Sequence, residues 1–293
     1  METKSNTFRK YLKRHGRENQ FFITSYIGID LIQPNQERPE NLSTTWHPKD
    51  IDNSKRESKL FIQKASLAYS VSTFESFFDD FFLNEVNQLI PEELSFLDTI
   101  CGNGTKKSIY KKLELLIDNF SDLKSKEYFL VKSAIFWRND LIHGTREKFD
   151  SEIKADLRRY AQDFEKSYSG LDINEFINHY DTNKVPSFKE TLSLMTGLRN
   201  FSAQVDKYFM EKISVERYVG FILKQRLDLG MKVVKTNPEK QHTFWNNIIS
   251  TYVGLSERDL TEFKKTQLGI NLYEVTSNEE LLELVSTYKF NAY

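Results

Sequence analysis

The chain has 293 residues, with 41 lysines and arginines against 42 aspartates and glutamates, so its net charge of -1 gives no general attraction for nucleic acid. Hydrophobic residues make up 39%, and 23 phenylalanines and 14 tyrosines stand against 11 glycines and 6 prolines, which excludes a disordered chain and favours an all-α globular protein. The single Cys101 excludes an internal disulfide framework and a cysteine-based zinc site. No apolar run approaches the roughly 20 residues of a membrane span, so the expected location is the cytoplasm.

Residues 1–54 are predicted to be a basic arm followed by a loop. Lysines, arginines and one histidine surround a few apolar residues in the first 20 positions. This pattern fits a solvated helix face or a frayed terminus, or else an arm in which Arg9, Lys10 and Arg14 contact RNA. Periodicity does not decide between strand and helix for the apolar stretch 21–32. Prolines at positions 34, 39 and 48 then predict a loop up to Ser54.

A long amphipathic helix is predicted from Ser54 to Pro91. Five phenylalanines, at positions 74, 77, 78, 81 and 82, recur in helical steps and indicate a stripe that faces the core. The polar face carries Glu75 and Asp79, one turn apart. These carboxylates are predicted to be solvated or to line a site on a neighbouring helix.

The connector over 102–108 resembles a phosphate loop in composition only. The required spacing of a glycine, four residues and then Gly-Lys-Ser/Thr is absent, and no clear strand leads into the segment, so we do not predict a nucleotide site. Lys106 and Lys107 instead begin a basic patch at the start of a helix over 109–117. This patch is either a solvated face or a weak RNA contact.

Two further helices complete a predicted four-helix bundle over 55–170. The third runs from about Glu127 to His143 and is apolar around much of its circumference, which predicts the most enclosed helix of the bundle. The fourth follows from about Ser151 and ends by Gly170. Short connections between such helices are typical of bundles.

Residues 171–293 are predicted to form a C-terminal helical domain of unknown role. Capping and stop signals predict helices over the ranges 172–180, 187–212, 214–229, 238–252, 256–268 and 278–289. Only 270–275 has the pattern of a short strand. His179 and His242 stand apart from other candidate catalytic residues, and a lone histidine on a helix is more often structural or exposed.

The third helix ends in the sequence Arg138-Asn139-Asp140-Leu141-Ile142-His143-Gly144. An arginine stabilises charge on a phosphate and an imidazole moves protons near neutral pH, which suffices to cleave a phosphodiester without a metal. Chance alone would supply roughly 0.2 such arginine–histidine pairs at this spacing in a chain of this composition. The basic arm contains a similar pair, Arg9 and His15. The position of the motif at the end of an apolar helix is therefore more informative than its spacing.

This motif resembles that of the HEPN superfamily, the helical ribonuclease and nucleotide-binding domains of toxin–antitoxin, CRISPR-associated and phage-abortive systems. In that family an arginine, often followed by a polar residue, precedes a histidine by four to six residues on the third main helix. Arg138, Asn139 and His143 match these positions, and the resemblance covers residues 55–168. It implies a ribonuclease without metal or cofactor, acting in toxicity or phage defence, whose partners are RNA, a second copy of the chain and an antitoxin or regulatory protein.

Helix geometry supports the dimer independently of the family. At about 100° per residue, Asn139 and His143 lie on one side, one turn apart, whereas Arg138 is about 140° around from His143. One chain therefore presents a splayed pair. Two such helix ends across a two-fold axis would place two arginines and two histidines around one scissile phosphate.

A mechanism follows as a hypothesis. His143 takes the proton of the ribose 2′-OH or donates one to the 5′-oxygen, Arg138 stabilises the transition state, and Asn139 orients the histidine or the phosphate. Asp140, Glu75 and Asp79 are candidate supporting residues. The products would carry a 2′,3′-cyclic phosphate and a 5′-OH, and DNA would not be cut.

Three alternatives stay open. Arg138 and His143 fit a pair of cations that caps carbonyls at a helix C-terminus. The chain also fits a catalytically silent HEPN-type module that binds nucleotide or RNA, or regulates a partner through its C-terminal helices. A transcription regulator with a helix-turn-helix in 214–268 is the third, although no glycine-containing turn stands at the expected spacing.

Overall fold

The computed structural model describes residues 1–90 apart from positions 35, 36, 38, 44, 45 and 47, and residues 107–144 and 149–288, with the backbone alone at His143. All regular structure in these ranges is helical, which confirms the all-α prediction. The finer assignment, a four-helix HEPN-like bundle, stays a prediction. In the same ranges, no helix combines the length and hydropathy needed to cross a membrane.

Thirteen helices are numbered here in chain order over the described residues. They are α1 Asn6–Asp30, α2 Ile51–Phe81, α3 Ile109–Asn119, α4 Lys126–His143, α5 Ser151–Arg159, α6 Ala161–Ser167, α7 Ile173–Asp181, α8 Phe188–Met210, α9 Val215–Asp228, α10 Pro238–Ile248, α11 Glu257–Phe263, α12 Gln267–Leu272 and α13 Asn278–Ser286. Helix α2 continues through a π-helical stretch, Phe82–Val86, and a last turn, Asn87–Leu89, and a second π-helical stretch, Ile249–Val253, extends α10.

The chain divides into two compact units. Unit 1 comprises residues 1–11, 76–107 and 202–293, and unit 2 comprises residues 12–75 and 108–201. Helices α1, α2 and α8 contribute residues to both units. The division differs from the predicted domains 1–54, 55–170 and 171–293, because segments far apart in sequence share each core.

Helix α1 stands where the basic arm was predicted. The apolar residues Phe8, Tyr11 and Phe22 are buried, and so are the polar residues His15 and Glu18 between them. Their spacing of three, four, three and four residues places all five on one helix face. The prediction of an unburied arm is therefore wrong, because this face is enclosed although two of its five side chains are polar.

Helix α4 is the buried centre of unit 2. Every side chain from Tyr128 to Trp137 is buried, as predicted for the third helix of the bundle. Helix α8 passes so close that a Cβ atom on Gly197 would lie 2.8 Å from the Cβ of Leu130. From Arg138 onwards the exposure of α4 rises. The polar motif therefore lies where the central helix reaches the surface of its unit.

Unit 1 encloses the first residues of the chain. The carboxylate of Asp259 accepts the backbone N–H groups of Glu2 and Thr3, and that of Asp206 accepts the N–H of Ser5. Asp259, Asp206, Thr3 and Ser5 are all buried. Because a buried backbone N–H must find an acceptor, these carboxylates fix the segment that leads into α1.

Three local predictions were wrong. The predicted fourth helix is two helices, α5 and α6, separated at Tyr160, which leaves helical geometry at φ -98° and ψ 13°. Residues 270–275 are not a strand, because Thr266 caps α12 by accepting the N–H of Gly269. The predicted loop up to Ser54 ends earlier, since the side chain of Asp50 accepts the N–H of Asn53 where α2 begins.

Candidate active site at the end of α4

The motif occupies the last two turns of α4. Helix α4 ends at His143, and Gly144, in the left-handed region at φ 61°, donates its N–H to the carbonyl of Asp140 at 3.0 Å. Glycine adopts this conformation without the penalty that a Cβ would bring. The predicted helix stop is thereby confirmed. The side chain of His143 lies outside the described residues.

Arg138 is paired with Glu75 of α2 within unit 2. Its Nη2 atom lies 3.7 Å from Oε2 of Glu75, and the two side chains are 19% and 28% exposed. The Nε of Arg138 is buried and has no hydrogen-bond partner among the described residues. The distance exceeds that of a good charge-assisted hydrogen bond. The guanidinium is therefore positioned by a loose ion pair, and the Arg138 side chain stays partly exposed.

The other polar residues of the motif follow Arg138 along α4. Asn139 and Asp140 are half-buried and follow Arg138 in the same helix. Both Asn139 and the backbone of His143 have helical geometry, so they are one turn apart as predicted. Of the two candidate carboxylates on α2, Glu75 pairs with Arg138 in unit 2, and Asp79 lies in the part of α2 that belongs to unit 1.

The predicted RNA-binding cations are divided between the two units. Arg9 of unit 1 is half-buried and donates to the carbonyl of Tyr252 at 2.7 Å, which gives it a structural role within that unit. Lys10, also in unit 1, is exposed. Arg14 of unit 2 is 47% exposed and pairs with Glu18 at 3.4 Å.

Two lysines of the predicted patch stand at the edge of the described chain. Lys107 is half-buried and directly precedes Ser108, whose side chain caps α3. Lys106 lies outside the described residues.

His15, the histidine of the second arginine–histidine pair, is buried in unit 2. Burial, with the Arg199 guanidinium nearby, lowers the pKa of His15 to about 4. Burial also raises the pKa of Glu18, whose carboxylate accepts a hydrogen bond from Thr73 at 2.6 Å and lies 4.0 Å from the imidazole. His15 is therefore neutral at pH 7 and enclosed, whereas Arg138 lies where α4 reaches the surface of unit 2.

Aromatic contacts tie both ends of the motif segment to helix α7. The ring of Trp137, directly before Arg138, lies 5.3 Å from the ring of Tyr180, and its Nε1 donates to the carbonyl of Lys184 at 3.3 Å. Phe149, six residues after His143, stacks on the same Tyr180 ring at 3.9 Å and 7°. The residues on either side of the motif, Trp137 and Phe149, therefore both pack against the last turn of α7.

A histidine–carboxylate pair stands beside that tyrosine and was missed in the sequence. Nδ1 of His179 lies 2.9 and 3.1 Å from the two carboxylate oxygens of Glu190. Glu190 is 5% exposed and also accepts the backbone N–H of Ser187 at 2.6 Å. Ser187 and Glu190 form a capping box at the start of α8. The pairing of Glu190 with His179 was missed because a loop separates the two helices.

Within the described parts of the chain, no group of three histidine, cysteine or carboxylate side chains is arranged to hold a metal ion. No protein-family model, curated protein or solved structure matches the chain significantly.

Proposed function

We propose that the chain is a metal-independent endoribonuclease that cleaves RNA by attack of a ribose 2′-OH. The observation that carries this proposal is the state of Arg138: its guanidinium is held at the end of the central helix by a loose ion pair, and its side chain is 19% exposed. His143 follows in the last turn before Gly144. A phosphate in this place would meet an arginine that is always charged and already oriented.

The proposed reaction balances with groups of the protein alone. The 2′-oxygen attacks phosphorus and gives its proton to a base, while the bond from phosphorus to the 5′-oxygen breaks and that oxygen takes a proton from an acid. His143 serves one of these proton transfers. Arg138 stabilises the charge of the five-coordinate transition state, and Asn139 orients the phosphate or the histidine. The products are a 2′,3′-cyclic phosphate and a 5′-OH.

The proposal includes a second copy of the chain. Arg138 and Asn139 lie about 100° apart around the helix, so one protomer spreads its polar groups around the end of α4. A symmetric pair of helix ends would bring two arginines to one phosphate. The motif resemblance supports the same arrangement, a role in toxicity or phage defence, and regulation by a protein partner.

The enzyme proposal is tested on purified protein in the presence of EDTA. We expect the wild-type protein to cut single-stranded or structured RNA, and Arg138→Ala and His143→Ala to lose activity by a factor of about 10² or more. Arg56→Ala and His242→Ala are matched controls, because both side chains are exposed outside the motif. Far-UV circular dichroism of all four variants should equal that of the wild type.

The outcomes of this assay separate the readings. Intact RNA with wild-type protein over a range of salt, pH and RNA structure contradicts the enzyme proposal. Unfolded Arg138→Ala and His143→Ala proteins would instead indicate that the two cations serve the helix end. Equal loss of activity in the control variants would also count against a site at the motif.

The defence role has its own test. Expression of the wild-type chain in a bacterium should arrest growth, because an endoribonuclease without a matching inhibitor degrades cellular RNA. His143→Ala should relieve the arrest at equal protein level, while His242→Ala should not. Equal toxicity of the wild type and His143→Ala would refute the assignment as a toxin acting through this site.

One observation favours the second candidate, a catalytically silent module that binds RNA or nucleotide, or regulates a partner. Glu75 already supplies a carboxylate to Arg138, and an internal anion competes with a phosphate for the same guanidinium. In this alternative the wild-type chain binds an uncleavable RNA but never cuts RNA, and Glu75→Gln increases binding without producing cleavage.

A further inference from the structure

We propose that His179, oriented by Glu190, is a second acid–base residue of the ribonuclease site and comes from the same chain as Arg138 and His143. This inference rests on the proposed ribonuclease function. Cleavage by the 2′-OH needs two proton transfers at opposite sides of the phosphate. The motif of one chain provides a single histidine. The second group can come from His143 of a second copy or from another residue of the same chain, and His179 is a source of the latter kind.

The contacts of His179 fix its chemistry. Both oxygens of Glu190 lie within 3.1 Å of Nδ1, and a carboxylate in that place accepts a hydrogen bond, so Nδ1 carries the proton. Nε2 then carries the lone pair and can take up a proton. The carboxylate also faces the positive charge that forms on the ring when Nε2 does so. His179 thus has the arrangement of a general base with its orienting group.

Glu190 and His179 differ in their exposure to solvent. The side chain of Glu190 is 5% exposed and is held by the N–H of Ser187, whereas the side chain of His179 is 24% exposed. A buried, hydrogen-bonded carboxylate has a defined position, while a partly exposed imidazole can reach a ligand. A histidine that served only to satisfy Glu190 would not need this exposure.

The aromatic contacts link α7, the helix that carries His179, to the motif segment. Tyr180, its neighbour in α7, contacts both Trp137, which precedes Arg138, and Phe149, which follows His143 by six residues. Six extended residues span at most about 20 Å. Trp137 and Arg138 are adjacent in sequence. The phosphate and ribose at the end of α4 therefore lie within the reach of a short RNA segment that also crosses the last turn of α7.

The loop after α7 adds a cation to this surface. Its carbonyl at Lys184 accepts from Trp137, and the Lys184 N–H donates to the carbonyl of His179 at 2.9 Å, so the backbone of this residue is fixed from both sides. Its side chain is exposed. A lysine here adds attraction for the RNA backbone beside the histidine.

The decisive variant is His179→Asn. The asparagine amide can replace Nδ1–H as the donor to Glu190 but has no group that takes up a proton. We expect cleavage to fall by a factor of about 10² to 10⁴ and the melting temperature to stay close to that of the wild type. His179→Ala serves as the second variant, and His242→Ala, which removes an exposed histidine in unit 1, is the matched control.

Glu190 is proposed as a positioning residue, and its test uses the pH profile. Glu190→Gln presents an amide that favours the opposite tautomer of His179, so cleavage should fall and one limb of the pH–rate profile should move, with little change in KM. Glu190→Asp should restore part of the rate. Unchanged profiles in folded Glu190→Gln protein would overturn this role.

Binding to an uncleavable RNA separates this inference from the ribonuclease proposal. With ¹⁵N-labelled histidines and a 2′-deoxy-substituted oligonucleotide, the imidazole signals of His179 should shift on titration, and those of His242 should not. Full cleavage by His179→Asn beside inactive Arg138→Ala would overturn the inference and leave the ribonuclease proposal standing. A shift at His179 in a protein that never cuts RNA would overturn the ribonuclease and keep His179 as an RNA contact. Absence of the shift overturns the inference in either case.

Discussion

The guanidinium of Arg138 faces the carboxylate of Glu75 with 3.7 Å between Nη2 and Oε2, and both side chains retain some exposure. Such a partly exposed pair contributes roughly 0.2–1 kcal/mol, which is less than a charge-assisted contact with a phosphate can supply. Glu75 therefore orients the arginine in the free protein, and under the proposed function RNA displaces this carboxylate. The strength of this ion pair determines whether a phosphate can bind Arg138 or whether the guanidinium stays paired with Glu75.

The first prediction concerns Glu75→Gln. Removal of the negative charge leaves the guanidinium without its competing anion, so the Kd for an uncleavable RNA should fall about two- to fivefold, in line with the worth of an exposed ion pair. Fluorescence anisotropy at fixed salt measures the change, and Arg138→Ala in the same assay shows the binding that remains without the guanidinium. Weaker RNA binding by folded Glu75→Gln protein would show that the carboxylate supports the site.

The close passage of α8 over α4 gives the second prediction. Gly197→Ala places a Cβ 2.8 Å from the Cβ of Leu130, and such overpacking costs about 1–3 kcal/mol. The melting temperature should fall by several degrees. Gly16→Ala in α1 is the matched helical control, because a Cβ there meets nothing within 4 Å, and it should stabilise the protein by up to about 1 kcal/mol. Equal melting temperatures of the two variants would refute the close crossing.

The third prediction concerns Arg9. Its guanidinium donates to the carbonyl of Tyr252 and occupies the space in which a Cβ on Gly254 would lie. Arg9→Ala leaves that carbonyl without its donor, which costs about 1–3 kcal/mol, so thermal unfolding should occur several degrees lower. Lys10→Ala, one position on and exposed, should not change stability. An unchanged melting temperature for Arg9→Ala, combined with weaker RNA binding, would restore the RNA-contacting arm.

Stability should depend on pH through Asp206. Burial, with Glu85 nearby, raises the pKa of Asp206 to about 7 from its ordinary 3.8. The folded state thus favours the protonated acid, and this contribution is complete below about pH 4. It is lost as pH rises to about 7, since the unfolded carboxyl ionises first, at about 1.4 kcal/mol per pH unit.

Asp206→Asn is the matching variant, because an amide cannot ionise and still offers an oxygen to the N–H of Ser5. Urea unfolding at several pH values between 4 and 7.5 should show the wild-type free energy of unfolding falling relative to that of Asp206→Asn. Parallel curves for the two proteins across this range would contradict the assignment of the pKa to Asp206.

The sequence was sufficient for the helical class and for most of the helices, because their apolar periodicity and capping residues are local signals. It was insufficient for α1, whose buried face includes His15 and Glu18. These polar side chains are enclosed because Ser70 and Thr73 of α2 provide hydrogen bonds to Glu18. No periodicity of apolar residues can reveal a buried face that is partly polar.

The candidate site could be predicted only in part, because a sequence shows contiguous motifs but not the contacts between helices. The Arg138 motif is contiguous and could be found by its spacing and its helix, and Glu75 was named as a candidate through its place on the polar face of α2. The pairing of His179 with Glu190 depends on how α7 and α8 meet, and Ser187 and Pro186 in the intervening turn give no sign of it. Contacts across a loop are tertiary information.

The most direct measurement uses an oligonucleotide with one ribonucleotide in an otherwise deoxy backbone, incubated with the wild-type protein in EDTA. We predict a single cut at the ribonucleotide, a 2′,3′-cyclic phosphate and a 5′-OH by mass spectrometry, and no cut with His143→Ala. A cut at deoxy positions, products with a 5′-phosphate, or cleavage that survives His143→Ala would contradict a ribonuclease that acts through the 2′-OH at this site.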